Sequence, residues 1–300
     1  MSTLAAPVPL PKAFQISVRP LDPEDWIDVD ARLPAYLAEK ARLEEERPDA
    51  VFAAEPGTEA GQSEVLRMLA DHLPARFPGV YRRAGERLDI LPAGRSVDLA
   101  SDTPPLRLAA RLVAEDLILM RRDARGWRLA AGALSFPSAW TLADKFSRPM
   151  EEVHGPVPGF GAGTRNAQLI NRMFDAARPD TPMLRWNWSL FGDDRLFHPE
   201  GGHPGHRFGP DGSRVFLRLE RQTLRKLAGT GDMLFTIRIH VDPVAALAGR
   251  PEGRQVAAAL AAQLATLAPG QLAYKGLWQD RDRLIDGLTR LADSTSALAR

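Results

Sequence analysis

The chain has 300 residues, 44% of them hydrophobic, and 39 Lys and Arg against 38 Asp and Glu leave a net charge of +1. That length supports one large domain or two modest ones with a substantial core, and the balanced charge provides no long-range field to recruit nucleic acid or another polyanion. Cysteine is absent, which excludes disulfides, thiolate nucleophiles, Cys-ligated zinc, iron–sulfur clusters and thiolate-ligated heme, so any metal must be held by nitrogen or oxygen.

Pro7, Pro9 and Pro11 among small residues predict an extended arm, flexible over residues 1–20. No basic region followed by a sustained apolar run opens the chain, and no run of about eighteen apolar residues occurs in it. The expectation is a soluble, cytoplasmic protein without membrane contact. Asp22-Pro23-Glu24-Asp25-Trp26 opens a helical reading, with acidic residues at the positive end of the helix dipole. A charged helix over 34–46 should lie on the surface. Val65, Leu66, Leu69 and Leu73 fall at helical spacing and Pro74 should end that helix. A turn-rich stretch through Pro92, Gly94 and Pro104-Pro105 leads to a helix over 106–114. Residues 22–100 read as an N-terminal helical layer.

From Asp116 the character changes. Residues 117–120 and 127–136 are strand-like and flank the turn signal Arg122-Asp123-Ala124-Arg125-Gly126, which predicts a hairpin. The small residues in the centre of the second strand let either a flat ligand or a helix approach closely. A helix over 140–146 follows; Pro149 must kink or restart it, and Pro156 stops it soon after His154. Residues 162–177 read as a helix, and 185–191 as a strand with Trp186, Trp188 and Leu190 on one side and Arg185, Asn187 and Ser189 on the other. The strand builds either a pocket with a polar wall or plain core. After an irregular loop over 193–212, strands are expected at 214–220 and 233–241, with a short helix over 222–228 between them. Helices over 244–248, 254–267 and 281–292 carry Ala-rich and Leu-rich faces that fit layer packing or an oligomer interface. The order suits an α+β fold: a mainly antiparallel sheet with helical elaborations at both ends.

His154, set before Gly155-Pro156-Val157-Pro158, is a candidate metal ligand, since a neutral imidazole on a restricted backbone suits heme iron or another transition metal; a structural or merely exposed role is the alternative. His198, Glu200, His203 and His206 supply donors for a small metal site, but their spacing matches no mechanical motif. Lys145, Arg148, Arg185, Arg218 and Arg221 sit near apolar residues, where arginine forks hold cofactor carboxylates such as propionates or form ordinary ion pairs. Nucleotide-binding, serine-hydrolase and zincin motifs are absent.

Six ordered segments carry a resemblance: Leu21-Asp22-Pro23-Glu24-Asp25-Trp26, residues 111–117, Phe136-Pro137-Ser138-Ala139-Trp140, His154-Gly155-Pro156-Val157-Pro158, Arg185-Trp186-Asn187-Trp188 and residues 218–224, with the late segment Ala273-Tyr274-Lys275-Gly276. Together, over about residues 20–290, they resemble the heme-dependent oxidative N-demethylase family. The resemblance implies a PAS-like sheet holding heme b within a single domain over residues 21–300. It also implies a monooxygenase that uses molecular oxygen to demethylate a small secondary or tertiary amine, dimethylamine-like, with release of formaldehyde. Implied partners are electron-transfer subunits carrying flavin mononucleotide (FMN) and a 2Fe–2S cluster, and a tetrahydrofolate-binding subunit. His154 maps onto the histidine of the family's His-x-Pro-Val-Pro segment and is the implied axial ligand of the iron. Arg185, Trp186, Asn187, Trp188, Arg221 and Gln222 match further family motifs, and contact with heme or substrate is inferred for them; Lys145 and Arg148 join Arg185, Trp186, Asn187, Trp188 and Arg221 as the expected cofactor contacts. Phe146-Ser147 stands where the family pattern has an Ile-Gly-like pair; this bulkier pair bears on the helix path, the pocket shape and thereby the substrate. A heme-binding sensor or carrier without turnover, and a structural subunit without heme, are the alternatives.

Overall fold

The computed structural model describes residues 10–199, 208–209 and 214–294. A two-residue strand β1 (Arg19–Pro20) and a 3-10 turn (Pro23–Asp25) lead into helices α1 (Leu33–Glu46) and α2 (Pro48–Val51), strand β2 (Phe52–Ala54) and helix α3 (Glu59–Arg76). Strands β3 (Tyr81–Ala84), β4 (Arg87–Ile90) and β5 (Arg95–Asp98) precede helix α4 (Pro105–Ala110) and the hairpin β6 (Asp116–Asp123) and β7 (Gly126–Ala133). Helices α5 (Leu142–Lys145), α6 (Met150–Val153) and α7 (Arg165–Ala176) intervene before strands β8 (Met183–Phe191), β9 (Phe216–Lys226) and β10 (Met233–Pro243). A 3-10 segment (Val244–Gly249) and helices α8 (Gly253–Thr266), α9 (Pro269–Tyr274) and α10 (Arg281–Asp293) end the described chain.

The fold is α+β. Seven strands form one antiparallel sheet in the order β1-β8-β9-β10-β6-β7-β2, and β3-β4-β5 form a small second sheet. The predicted hairpin is present as β6–β7. The turn-rich stretch within the N-terminal layer holds the small sheet instead of irregular chain, because strands of four residues leave little periodicity to read. The helical reading at Asp22 resolves to a 3-10 turn whose Glu24 N–H donates to the Asp22 carboxylate at 3.0 Å. Helix α1 is not purely superficial, since Leu33, Tyr36, Leu37, Lys40 and Leu43 are buried along one side. Pro74 lies inside α3 near its end, where only one backbone bond is forfeited, and the helix continues to Arg76.

The largest departure is at residues 222–228. The chain remains extended to Lys226, because β9 lies between β8 and β10 and pairs with β8 as far as Leu224 and with β10 as far as Lys226. Two ladders outweigh the helical propensity of Gln-Thr-Leu-Arg-Lys. The reversal comes at Leu227–Asp232, closed by the Leu227 N–H to the Asp232 carbonyl at 2.8 Å, with Gly231 at φ 75°.

Alternation sorts the sheet into two faces. One carries Leu117, Leu119, Leu219, Arg221, Arg238, Trp186 and Trp188. It is covered by the N-terminal helices, where Gly61 of α3 meets Leu119 and Tyr36 of α1 lies 4.0 Å from the Arg238 guanidinium, and by α8 and α10. The Leu-rich C-terminal helices therefore serve layer packing. The other face carries Ile118, Gly132, Arg185, Asn187, Glu220 and Gln222, as the register places them, and is roofed by residues 134–177.

Of the predicted arm, residues 1–9 lie outside the described residues, and the chain from Leu10 is docked. Leu10 is buried, and Trp188 Nε1 donates to the Pro11 carbonyl at 3.2 Å and to Gln263 Oε1 at 3.3 Å. Trp188 is fully buried and joins strand, arm and helix, so Trp188→Ala should cost about 3–5 kcal/mol of unfolding free energy, measured by urea titration. Lys40 adds a pH-dependent contribution. Its ammonium donates to the carbonyls of Ala110 at 3.3 Å, Val113 at 3.0 Å and Glu115. Burial pulls its pKa down to about 8, opposed by the Asp116 and Glu115 charges. Between that value and the ordinary 10.5 the unfolded chain binds the extra proton, so stability should rise with pH across this window. From pH 8 to 9.5 wild type should gain on the order of 2 kcal/mol relative to Lys40→Met; parallel curves for the two proteins would refute the assignment.

Candidate cofactor site around His154

The roof over the sheet is pinned before it reaches the histidine. Asp116 accepts the Ser135 and Phe136 N–H groups at 2.7 and 2.9 Å. Arg218, fully buried on β9, donates to Ser138 Oγ at 2.9 Å and to the carbonyls of Phe136 at 2.8 Å and Leu196 at 3.1 Å. Its fork is thus engaged by the chain itself. The small residues of β7 admit a helix: a Cβ on Gly132 would lie 2.9 Å from Leu142 Cδ1, a side chain of α5. Thr141 caps α5, accepting from the Asp144 N–H at 3.1 Å.

Ser147 then takes φ 62°, the left-handed region that glycine enters freely and that costs other residues on the order of 1 kcal/mol. Two bonds compensate: Ser147 N–H to the Leu129 carbonyl at 2.8 Å and Ser147 Oγ to Glu55 Oε1 at 2.6 Å. Glu55 is itself held by Arg128. The serine that replaces the family-pattern glycine thus keeps the glycine-like turn, and Phe146 packs against the main core.

Pro149 opens α6 and His154 ends it, with the His154 N–H on the Met150 carbonyl at 2.9 Å. The Val157 N–H returns to the His154 carbonyl at 2.8 Å, and the Phe160 ring lies 6.3 Å from the imidazole. The residue keeps some accessible surface, yet its ring is strongly desolvated. Burial, then the Lys145 and Arg185 charges, push its pKa down to about 4, opposed by a hydrogen bond to the Met150 backbone. At neutral pH His154 is therefore an uncharged imidazole, the form that binds a metal.

Lys145 and Arg185 stand close enough to His154 to disfavour its protonation. Lys145 donates to the Val153 carbonyl and lies 5.6 Å from the Trp140 ring, while burial lowers its pKa. Arg185 is the unusual member. Burial depresses its pKa, only Glu220 opposes this, and its Nε is buried with no hydrogen-bond partner among the described residues. Asn187 lies on the same sheet face as Arg185, two residues along β8. The sequence-predicted residues divide here: His154, Lys145 and Arg185 come together, and Asn187 shares the sheet face of Arg185. Arg148 is exposed, and its charge reaches the group through Lys145. Trp186, Trp188 and Arg221 lie on the opposite face from Arg185, because odd and even positions of a strand point opposite ways. Arg221 there holds the Trp26 and Asp25 carbonyls, and Trp186 lies 6.0 Å from the His240 ring.

The loop cluster does not assemble among the described residues, which contain no group of three metal-ligating side chains. His198 instead meets Asp193 at 3.1 Å and the Phe191 ring at 4.6 Å; Glu200, His203 and His206 lie outside the described residues. Glu220, the cross-strand partner of Asn187, was not predicted as a site residue, and Gln222, the partner of Arg185, was expected only as a match to a family motif. The strand alternation that reveals them was broken by reading 222–228 as helix.

The model of the family described as haem-dependent oxidative N-demethylase, alpha subunit-like matches residues 17–285, most of the chain. The chain belongs to this family. For a haem-dependent oxidative N-demethylase alpha subunit-like protein, an uncharged histidine beside a half-buried cation with no ion pair among the described residues is a fitting donor set: one nitrogen for iron, one guanidinium for a carboxylate. No helix among the described residues is long and apolar enough to cross a membrane.

Proposed function

We propose that this chain is a heme-dependent monooxygenase that oxidatively N-demethylates a small secondary or tertiary alkylamine, dimethylamine-like, and releases formaldehyde. The observation that carries the reading is the desolvated, uncharged His154 beside the unpaired Arg185, within a chain of the N-demethylase alpha subunit-like family. His154 would hold the iron through an imidazole nitrogen, its ring held by the Met150 backbone. Arg185, with Lys145 nearby, would pair with propionates. The group is heme b, bound without covalent attachment, since the chain has no cysteine to form thioether links. The central strand order β7-β6-β10-β9-β8, with α5–α7 between β7 and β8, the second and third of these five strands in chain order, supports a PAS-like core. On this reading residues 21–300 are one heme-binding domain, preceded by an N-terminal arm over residues 1–20.

Heme bound there supplies the redox chemistry that activates molecular oxygen. The polypeptide's share is to fix the iron's position through His154, to neutralise carboxylates at Arg185 and to exclude water with Phe160, Leu142 and the roof over the sheet. A methyl C–H of the amine becomes C–OH. One oxygen atom leaves as water after taking two electrons and two protons from outside, and the carbinolamine splits into formaldehyde and the demethylated amine. The electrons come from partner subunits carrying FMN and a 2Fe–2S cluster, and a tetrahydrofolate-binding subunit receives the formaldehyde. The site of action is the cytoplasm.

The test is to express the chain with heme supplied, record the absorption spectrum, then add dimethylamine, oxygen and a reductant and assay formaldehyde. Heme uptake with formaldehyde release is the expected result. Heme uptake without release would make the chain a sensor or carrier, and a chain that never takes up heme would refute the proposal.

A further inference from the structure

Small alkylamines are cations at neutral pH, and a cation entering a desolvated site needs an anion with free acceptor capacity. On the sheet face that carries Arg185, Glu220 is the carboxylate at 8% exposure. One of its oxygens accepts from Gln222 Nε2 at 2.6 Å, and it has no other hydrogen bond and no ion pair within 4.0 Å among the described residues. The two nearest cations do not consume it. Arg218 is bound to Ser138 Oγ and backbone carbonyls, and Arg185 acts on Glu220 only from a distance.

The Gln222 amide is oriented by this contact. A carboxylate only accepts, so Gln222 must turn its NH2 toward Glu220, which leaves Gln222 Oε1 buried with no donor. A free carboxylate oxygen and an orphaned amide oxygen therefore stand two residues apart on one strand. Arg185 is the cross-strand partner of Gln222, and its charge reaches His154, so these acceptors lie on the side of the sheet facing the histidine. Ile237 and Ile239 are the β10 partners of Gln222 and Glu220 and put apolar surface beside them.

We infer that Glu220, with Gln222 Oε1 as second acceptor, binds the ammonium group of the alkylamine substrate, and that Ile237 and Ile239 form the wall for its methyl groups. The inference rests on the function proposed above and names the residues that recognise the substrate. A dialkylammonium ion has two N–H donors for two acceptors and two methyls for the apolar wall. A tetraalkylammonium ion of similar charge has no donor and leaves both oxygens unpaired, which costs affinity.

The experiment uses the full chain loaded with heme, in three forms: wild type, Glu220→Gln and Glu220→Asp. Heme content is read by absorbance, and binding of dimethylammonium chloride is read by calorimetry against sodium chloride, with tetramethylammonium chloride as the donor-free cation. Wild type should bind dimethylammonium in preference to tetramethylammonium. Glu220→Gln should keep its heme and bind dimethylammonium about 10- to 100-fold more weakly, as loss of a charged hydrogen bond requires, and Glu220→Asp should fall between. Heme-loaded Glu220→Gln that binds within twofold of wild type overturns the inference, as does heme-loaded wild type that binds no dimethylammonium. If Glu220→Gln fails to retain heme, the aspartate variant decides: affinity equal to wild type, despite the withdrawn carboxylate, overturns the inference. Wild type that takes up no heme defeats the functional reading first and this inference with it.

Discussion

Replacing His154 with alanine should strip the heme spectrum from protein purified with heme supplied, and lower formaldehyde formation by at least about 100-fold, the loss expected when the group that fixes a catalytic metal is removed. The effect should be confined to the site. His154 sits at the end of a four-residue helix and is only partly buried as a residue, so the heme-free variant should unfold within about 1 kcal/mol of heme-free wild type. Imidazole added to His154→Ala should restore part of the spectrum, since it offers the same nitrogen from solution. A variant that keeps wild-type heme content and an unchanged spectrum would remove His154 from the iron.

Arg185→Met should move two quantities in opposite directions. In the heme-free chain Arg185 is a half-buried side chain with a buried, orphaned Nε and no ion pair within 4.0 Å among the described residues, and an uncompensated desolvated charge is costly. Methionine fills a similar volume without the charge, so heme-free Arg185→Met should be more stable than heme-free wild type by about 1–3 kcal/mol. The same variant should hold heme about tenfold or more weakly, because a bidentate carboxylate contact is lost. Urea unfolding and heme transfer to a high-affinity acceptor protein measure the two. A variant that loses stability without loss of heme affinity would make Arg185 a structural residue.

Ser147 shows how a departure from the family pattern is absorbed. The backbone there needs φ 62°, and the serine reaches it by a hydroxyl bond to Glu55, a residue 92 positions earlier. The bulkier pair therefore leaves the approach to α6 in place. What differs is the wall, where Phe146 packs against the main core.

Local pattern was enough for much of the fold and for one end of the site. The β6–β7 hairpin, α7, β8, β10 and the C-terminal helices arise from periodicity and turn residues, because each buries one face and short-range sterics set its limits. His154 was legible for a similar reason: the prolines around it leave a helix only one place to end. Strand alternation also separated Arg185 and Asn187 from Trp186 and Trp188 before any fold was known. Which of those faces looks toward His154 was not legible, since it depends on how residues 134–177 fold back across the sheet, and that path is set by contacts between distant residues such as Arg218 with the Phe136 carbonyl. Tertiary structure alone decided that residues 222–226 are strand, because the ladders on both sides outweigh local propensity. That decision aligned Gln222 with Glu220 and gave Arg185 no close anion. Arg221, adjacent in sequence, was turned to the opposite face to hold the N-terminal layer, as the two-residue period of a strand requires.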